Sequence, residues 1–290
     1  MDGSLIVPLT INDQQVTMVL NTASATSMLW MSAVKRLGLT PQSYPGNRVY
    51  ELSNNKRLKT NAYVTGHAVT LAGVPVIGVK FLAFPVGQLP VDGIVGLDAL
   101  QGVDFELNFT DRKLTLYAPH RCATGPVYWS EQYVRVPMHR GSLGDAFFSI
   151  EVGGRKIATT VDTGGALSTL PSDATHRLWG FDEHSLGLET QTDAQGKTIT
   201  RYRAMAMTSH GLKIMNAQVQ LIEARPDCNL STWGGFDGAA QYFDCGGIEA
   251  PLTLGTDVLK HMRLYFAMKE KALYFTTAAD ESAAATPPQP

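Results

Sequence analysis

Charge is scarce in this sequence. Only 17% of its 290 residues are charged, against a usual share of about 25%. The signs nearly cancel, 24 basic against 26 acidic, for a formal net charge of −2. No electrostatic footprint for nucleic acid or an anionic membrane follows from that balance, so no nucleic-acid partner is expected. Long apolar runs are missing too. The least polar stretch, Val69 to Val79, has 11 residues and is broken by Gly73, Pro75 and Gly78; a membrane-spanning helix needs about 20 apolar residues. Met1 is followed by neither a basic region nor an apolar run, so no signal peptide is visible, and a leader trimmed before Met1 stays open. The sequence holds no H-E-x-x-H, no G-x-S-x-G, no G-x-x-x-x-G-K and no G-x-G-x-x-G. A zincin site, a serine-hydrolase elbow and a nucleotide cradle therefore have no support. His120 and Cys122 have no second cysteine near them. No metal and no cofactor are expected.

What is present is a 44% hydrophobic fraction with 27 Gly and 15 Pro. Such a chain buries a sizeable core and turns often, which favours β structure over helical bundles. It also repeats itself. TMVLNTASATSML around Asn21 matches ATTVDTGGALSTL around Asp162, an offset of 141 residues. Leu9 then meets Ile150, Leu20 meets Val161, Thr22 meets Thr163, Ser27 meets Ser168 and Leu37 meets Leu178. A second block pairs GIVGLDALQGVDFELNFTDRKLTLY with LTLGTDVLKHMRLYFAMKEKALYF at an offset of 159, from Gly96 to Gly255. Two blocks in one order, each keeping its apolar positions, argue for duplication rather than chance.

The second half is 18 residues longer by these offsets. Cys228 to Cys245, a stretch rich in glycine with 16 residues between the cysteines, is the natural insertion. It reads as an excursion loop without regular structure, closed by a Cys228–Cys245 disulfide and leaving Cys122 unpaired; three free thiols are the other reading. A disulfide there implies an oxidising compartment, hence a periplasmic or secreted protein whose signal is not in this chain. The expected division is a lobe over residues 1–125, a lobe over 126–277 carrying the insertion, and a small, Pro-rich, disordered tail over 278–290.

Within each half, Leu5, Val7, Leu9 and Ile11, and likewise Phe148, Ile150 and Val152, alternate as strands do. Asn12-Asp13 and Gly153-Gly154 supply turns. Short helices over Met31–Leu37 and Ser172–Leu178 are stopped by Gly38 and Gly180. A late hairpin follows, turning at Asp111-Arg112 and again at Lys269-Glu270. The expected fold class is all-β: two β-barrel-like lobes with a few short helices, related by a pseudo-twofold axis around a central cleft.

Asp162-Thr163-Gly164 ends an apolar strand, an unusual place for an acid. A D-T-G turn by itself is a weak signal; its counterpart Asn21-Thr22-Ala23-Ser24 at the homologous position is the specific feature. With LNTAS at 20–24, VDTGG at 161–165, and Ile94-Val95-Gly96 and Thr253-Leu254-Gly255 as the apolar-apolar-Gly motifs, the second departing by Thr at its first position, the chain resembles the aspartic proteases of the pepsin and retropepsin clan. LDAL (97–100) and TDVL (256–259) look like the short helix that follows that glycine. The chain is similar to two fused retropepsin-like lobes, as in bacterial envelope aspartyl proteases.

The resemblance implies an endopeptidase acting on protein or peptide substrates. Two carboxylates share one proton, activate a water and protonate the scissile carbonyl oxygen. It places Asp162 and residue 21 as the catalytic pair. Thr22 and Thr163 would cross-bond the two loops, and Ala23, Ser24, Gly164 and Gly165 would support the pair and line the substrate. A flap from within Tyr50 to Val64 would close over the peptide. Both halves of the pair lie in one chain, so a monomer is expected. Asp98 and Asp257 read as acids at helix N-termini. The departure is Asn21, since an amide neither shares a proton nor acts as acid or base. As written, the chain is expected to be inactive or nearly so, either through a substitution in an active enzyme or as a natural pseudoprotease that binds peptides.

Overall fold

A computed structural model describes residues 4–51, 57–85, 90–119, 125–141, 144–182, 184–192, 196, 198–224, 228–236, 238–244 and 248–277. The first half runs β1 (Ile6–Ile11), β2 (Gln14–Leu20), β3 (Met28–Trp30), α1 (Met31–Arg36), β4 (Gln42–Glu51), β5 (Arg57–Thr65), β6 (Val69–Leu71), β7 (Val74–Pro75), β8 (Lys80–Phe84) and β9 (Gly93–Val95). A 3-10 turn (Leu97–Leu100), β10 (Asp104–Asn108) and β11 (Lys113–Tyr117) complete it. The second half begins with β12 (Val134–Pro137), β13 (His139–Arg140), β14 (Ala146–Val152), β15 (Arg155–Val161), β16 (Thr169–Pro171) and α2 (Ser172–Trp179). It continues with β17 (Leu188–Thr192), β18 (Thr198–Ser209), β19 (Leu212–Ile222), β20 (Asn229–Phe236), β21 (Gly238–Asp244), β22 (Ile248–Glu249), β23 (Leu252–Leu254), α3 (Thr256–Leu259), β24 (Met262–Ala267) and β25 (Ala272–Thr277). The chain is mainly β, as its composition implied, and no described helix is long and apolar enough to cross a membrane.

The strands form a nine-stranded sheet from the first half and an eleven-stranded sheet from the second. Their registers carry the sequence offsets. Ile6 pairs Val19 where Phe147 pairs Thr160, both shifted by 141. Leu20 runs beside Val95 as Val161 runs beside Leu254, combining offsets of 141 and 159. Alternation buries Val7, Leu9 and Ile11 while Ile6 faces out. The turns Asn12-Asp13 and Gly153-Gly154 both have positive φ at two successive residues, the conformation that tight hairpins require. The C-terminal helix stops also hold, with φ of 65° at Gly38 and 73° at Gly180.

Two features depart from the expectation of two plain barrels. The hairpins β10–β11 and β24–β25 leave their lobes and join β12 in one five-stranded sheet, with Phe105 opposite Phe266 and Leu107 opposite Leu264. The pseudo-twofold axis crosses that sheet at the pair Glu106–Tyr265, and the phenyl rings of Phe105 and Phe266 stack at 4.3 Å. The insertion is not an irregular loop. It forms the hairpin β20–β21, and Gln241 runs parallel beside Ile157 of β15. Turn-rich sequence hid strands whose glycines sit within them. The hairpin extends the sheet beside β15, and Ala240 packs with Phe147 and Ala158. β14 is buried at every position but Glu151 rather than alternating. Cys228 is buried, while Cys122 and Cys245 lie outside the described residues, as do the tail and residues 52–56 between β4 and β5.

Candidate active site

β2 and β15 deliver Asn21 and Asp162 to the junction of the lobes. The backbone N–H of Asn21 donates to Val95 and that of Asp162 to Leu254, each at 2.9 Å. These bonds fix each loop to the strand ending in its apolar-apolar-Gly motif. The glycines have a steric reason. A methyl group on Gly96 would lie 2.7 Å from the Thr26 carbonyl carbon, and one on Gly255 would lie 2.4 Å from that of Leu167. Backbone cannot yield as a flexible side chain would, so only glycine permits the close approach.

The loops are then joined to each other. The Thr163 hydroxyl accepts from the Thr22 N–H at 3.2 Å and donates to the Leu20 carbonyl at 2.7 Å. In the reciprocal set, the Thr22 hydroxyl accepts from the Thr163 N–H at 3.3 Å and donates to the Val161 carbonyl. Both threonines are fully buried, so all four bonds exchange without competition from water.

Asn21 and Asp162 are held alike. Asp162 Oδ1 accepts from the N–H groups of Gly164 and Gly165 at 2.9 and 3.0 Å. Asn21 Oδ1 accepts from those of Ala23 and Ser24 at 2.8 and 3.0 Å. Two donors to one atom identify it as the amide oxygen, so Nδ2 points the other way. A methyl on Gly164 would sit 2.7 Å from that Nδ2. Asn21 therefore lies directly over the residue whose N–H holds Asp162. Burial pushes the Asp162 carboxyl up to about 6, against the downward pull of the Gly164 and Gly165 amides. With an amide rather than a carboxylate at position 21, this acid still lies above its ordinary value, because desolvation outweighs its two hydrogen bonds.

Asp98 and Asp257 do more than favour a helix terminus. Asp98 accepts from the Ser27 N–H at 2.9 Å and from its hydroxyl. The Ser27 oxygen in turn accepts from the Gly96 N–H at 3.0 Å. Asp257, Ser168 and Gly255 repeat this, with bonds of 2.9, 2.8 and 3.0 Å. Burial raises the Asp98 carboxyl, while the Ser27 bonds pull it down. Both acids sit in the first turn of their short helices as expected, and in addition they form a pair of clamps that tie the far end of each loop to its glycine. The repeated serine at the 141 offset was the signal for it.

Comparison with known proteins follows this geometry. Residues 7–99 match the family model described as aspartyl protease. A solved aspartic proteinase from Irpex lacteus has the same fold, with a TM-score of 0.53 over 97% of this chain and 96% of that one, at 14% sequence identity. No curated protein sequence matches. The chain has the bilobed fold of that proteinase, and the family match lies in its first half. The junction built by Thr22 and Thr163 ties the end of β2 to the end of β15. The hairpin β4–β5, with Gln42 opposite Tyr63 and Glu51 opposite Arg57, spans the stretch expected to form the flap, and its tip lies outside the described residues. The second lobe raises a hairpin of its own, β17–β18, from the matching place after its helix. Among the described residues no cluster of His, Cys, Asp or Glu is arranged to hold a metal ion.

Proposed function

We propose that this chain holds an extended polypeptide between its lobes, as an aspartic endopeptidase whose hydrolytic step needs a second carboxylate at position 21. The observation that carries the reading is that Asn21 and Asp162 occupy equivalent positions with equivalent hydrogen bonds. With acids at both positions, like charges at close range share one proton. The ionised group takes a proton from water, and the protonated one donates to the carbonyl oxygen. With Asn21, the single acid has no proton-donating partner, because an amide N–H is not released at working pH. The chain as written binds without cleaving.

The surroundings favour an otherwise competent enzyme carrying a substitution. The crossed threonines, both serine clamps and both glycine approaches are kept. A natural pseudoprotease that serves as a peptide-binding module is the second reading, resting on Asn21 itself. Asn21→Asp should create cleavage of unfolded protein substrates with an acidic optimum, inhibited by a statine-type mimic of the transition state. Asp162→Ala on that background should abolish it. No cleavage between about pH 3 and about pH 8, the span over which a carboxylate pair titrates, removes the endopeptidase reading and leaves the binding module.

The chain works as a monomer in this proposal, because both loops of the site come from one polypeptide. A Cys228–Cys245 disulfide and an extracytoplasmic location belong to it as well. The support for the pairing is that Asn229 stands opposite Asp244 in β20–β21, so Cys228 adjoins the end of that hairpin. Thiol titration of denatured, unreduced protein should find one free thiol; three would remove both the pairing and the location.

A further inference from the structure

A cleft with twofold symmetry gives a bound peptide no direction, because both halves present the same backbone groups. A polypeptide has direction, so something beside the site must break the symmetry. The two flanks differ where the 141 offset sets Ser4 against Asp145. Ser4 is uncharged, and its hydroxyl donates to the Gly164 carbonyl at 3.4 Å, beside the Asp162 loop. Asp145 instead stands with Arg140, at the turn from β13 to β14, beside the Asn21 loop.

The placement follows from Gly144. A methyl built there would lie 3.5 Å from an Arg140 Nη and 4.0 Å from the Ala25 Cβ. The guanidinium and the Asn21 loop thus meet around one point. The Asp145 carboxylate lies over Gly141, where a methyl would be 2.2 Å from Oδ1. The Gly141 N–H donates to the Asp145 carbonyl at 2.9 Å. Arg140 and Asp145 are both half-buried. Among the described residues, the Arg140 guanidinium has neither a hydrogen bond nor an ion pair within 4.0 Å. Asp145 acts on it only through space. The Arg140 nitrogens keep access to solvent, so these donors can exchange water for an acceptor on a ligand. A carboxylate is the acceptor that a planar guanidinium fits best.

We propose that Arg140 is a specificity-determining residue, receiving an acidic side chain of the bound polypeptide beside the Asn21 loop and so fixing the direction in which that polypeptide lies. The proposal rests on the polypeptide-binding reading above, and its test separates the two. The chain is used as it stands, since Asn21 lets peptides bind without being consumed. Fluorescein-labelled ten-residue peptides of neutral composition carry either Glu or Gln, walked through the central positions. At one position off centre, Glu should bind roughly tenfold more tightly than Gln, and the advantage should shrink with added salt. Arg140→Gln should bring that ratio to about one while leaving the Gln peptides' affinity unchanged, which also shows that the variant is folded. Asp145→Asn, which removes the opposing charge, should raise the ratio. A ratio near one at every position, or a ratio that survives Arg140→Gln, overturns the assignment and leaves the binding reading standing. Failure of the Gln peptides to bind at all overturns both.

Discussion

Asn21 and Asp162 differ by one terminal group, yet the protein treats them as equals. Each takes two backbone N–H bonds on one oxygen. The cost of the acid appears in its titration, since burial raises Asp162 to about 6 from an ordinary 3.8. In the folded state the proton is held more tightly than in the unfolded chain. This group's stabilising contribution is therefore complete below about pH 4 and is lost as pH rises through about 6. Asp162→Asn keeps the accepting oxygen and removes the charge. It should leave stability unchanged near pH 4 and raise it on the order of 1–3 kcal/mol at pH 7, measured as urea midpoints at the two pH values. Equal effects at both would place the raised affinity for the proton elsewhere.

The short elements next to the site act as fasteners. α3 and the 3-10 turn at 97–100 each present an acid to a serine that begins the next strand of the cleft floor. Were Asp98 and Asp257 only dipole partners, removing either would cost about 0.3–1 kcal/mol. A clamp predicts more, because the buried N–H and hydroxyl of Ser27 or Ser168 lose their acceptor. Asp98→Ala and Asp257→Ala should each cost about 1–3 kcal/mol of unfolding free energy, and the matching Asn variants distinctly less. Denaturant titration of the four variants decides between the two roles.

Across the whole molecule, the lobes are tied by a buried charge pair at the twofold axis. Glu106 of β10 receives Arg263 of β24, with Nη2 at 2.6 Å and Nε at 2.8 Å from Oε1. The guanidinium lies 4.1 Å from the Trp129 ring, and the Tyr117 and Tyr128 hydroxyls donate to Oε2 at 2.7 and 3.1 Å. The Glu106 side chain is 2% exposed, so breaking the pair strands a charge in the interlobe sheet. Arg263→Met should cost about 3–5 kcal/mol, and adding Glu106→Leu should recover most of it. If the double variant is as weak as the single one, packing rather than charge holds the sheet.

The duplication was legible in the sequence because it is a linear property. Offsets of 141 and 159 on identical or apolar positions became identical registers in the two sheets. Thr22, Thr163, Asn21 and Asp162 could be named for the same reason, each sitting where an apolar strand ends in a polar turn. The hairpin β20–β21 was hidden because glycine-rich strands carry no alternation to read. The five-stranded sheet was hidden because Phe105 and Phe266 meet only once both hairpins have left their lobes. Arg140 gave no signal at all. Its setting depends on Gly144 reaching Ala25 from the other lobe, and contacts between lobes are fixed by how two folded surfaces dock, which local pattern does not encode. The sequence by itself determined two copies of one β lobe, with an amide at position 21 where the other copy has an acid. Tertiary packing alone decided which buried acid feels its burial, which serines are clamped, and which flank of the cleft carries charge.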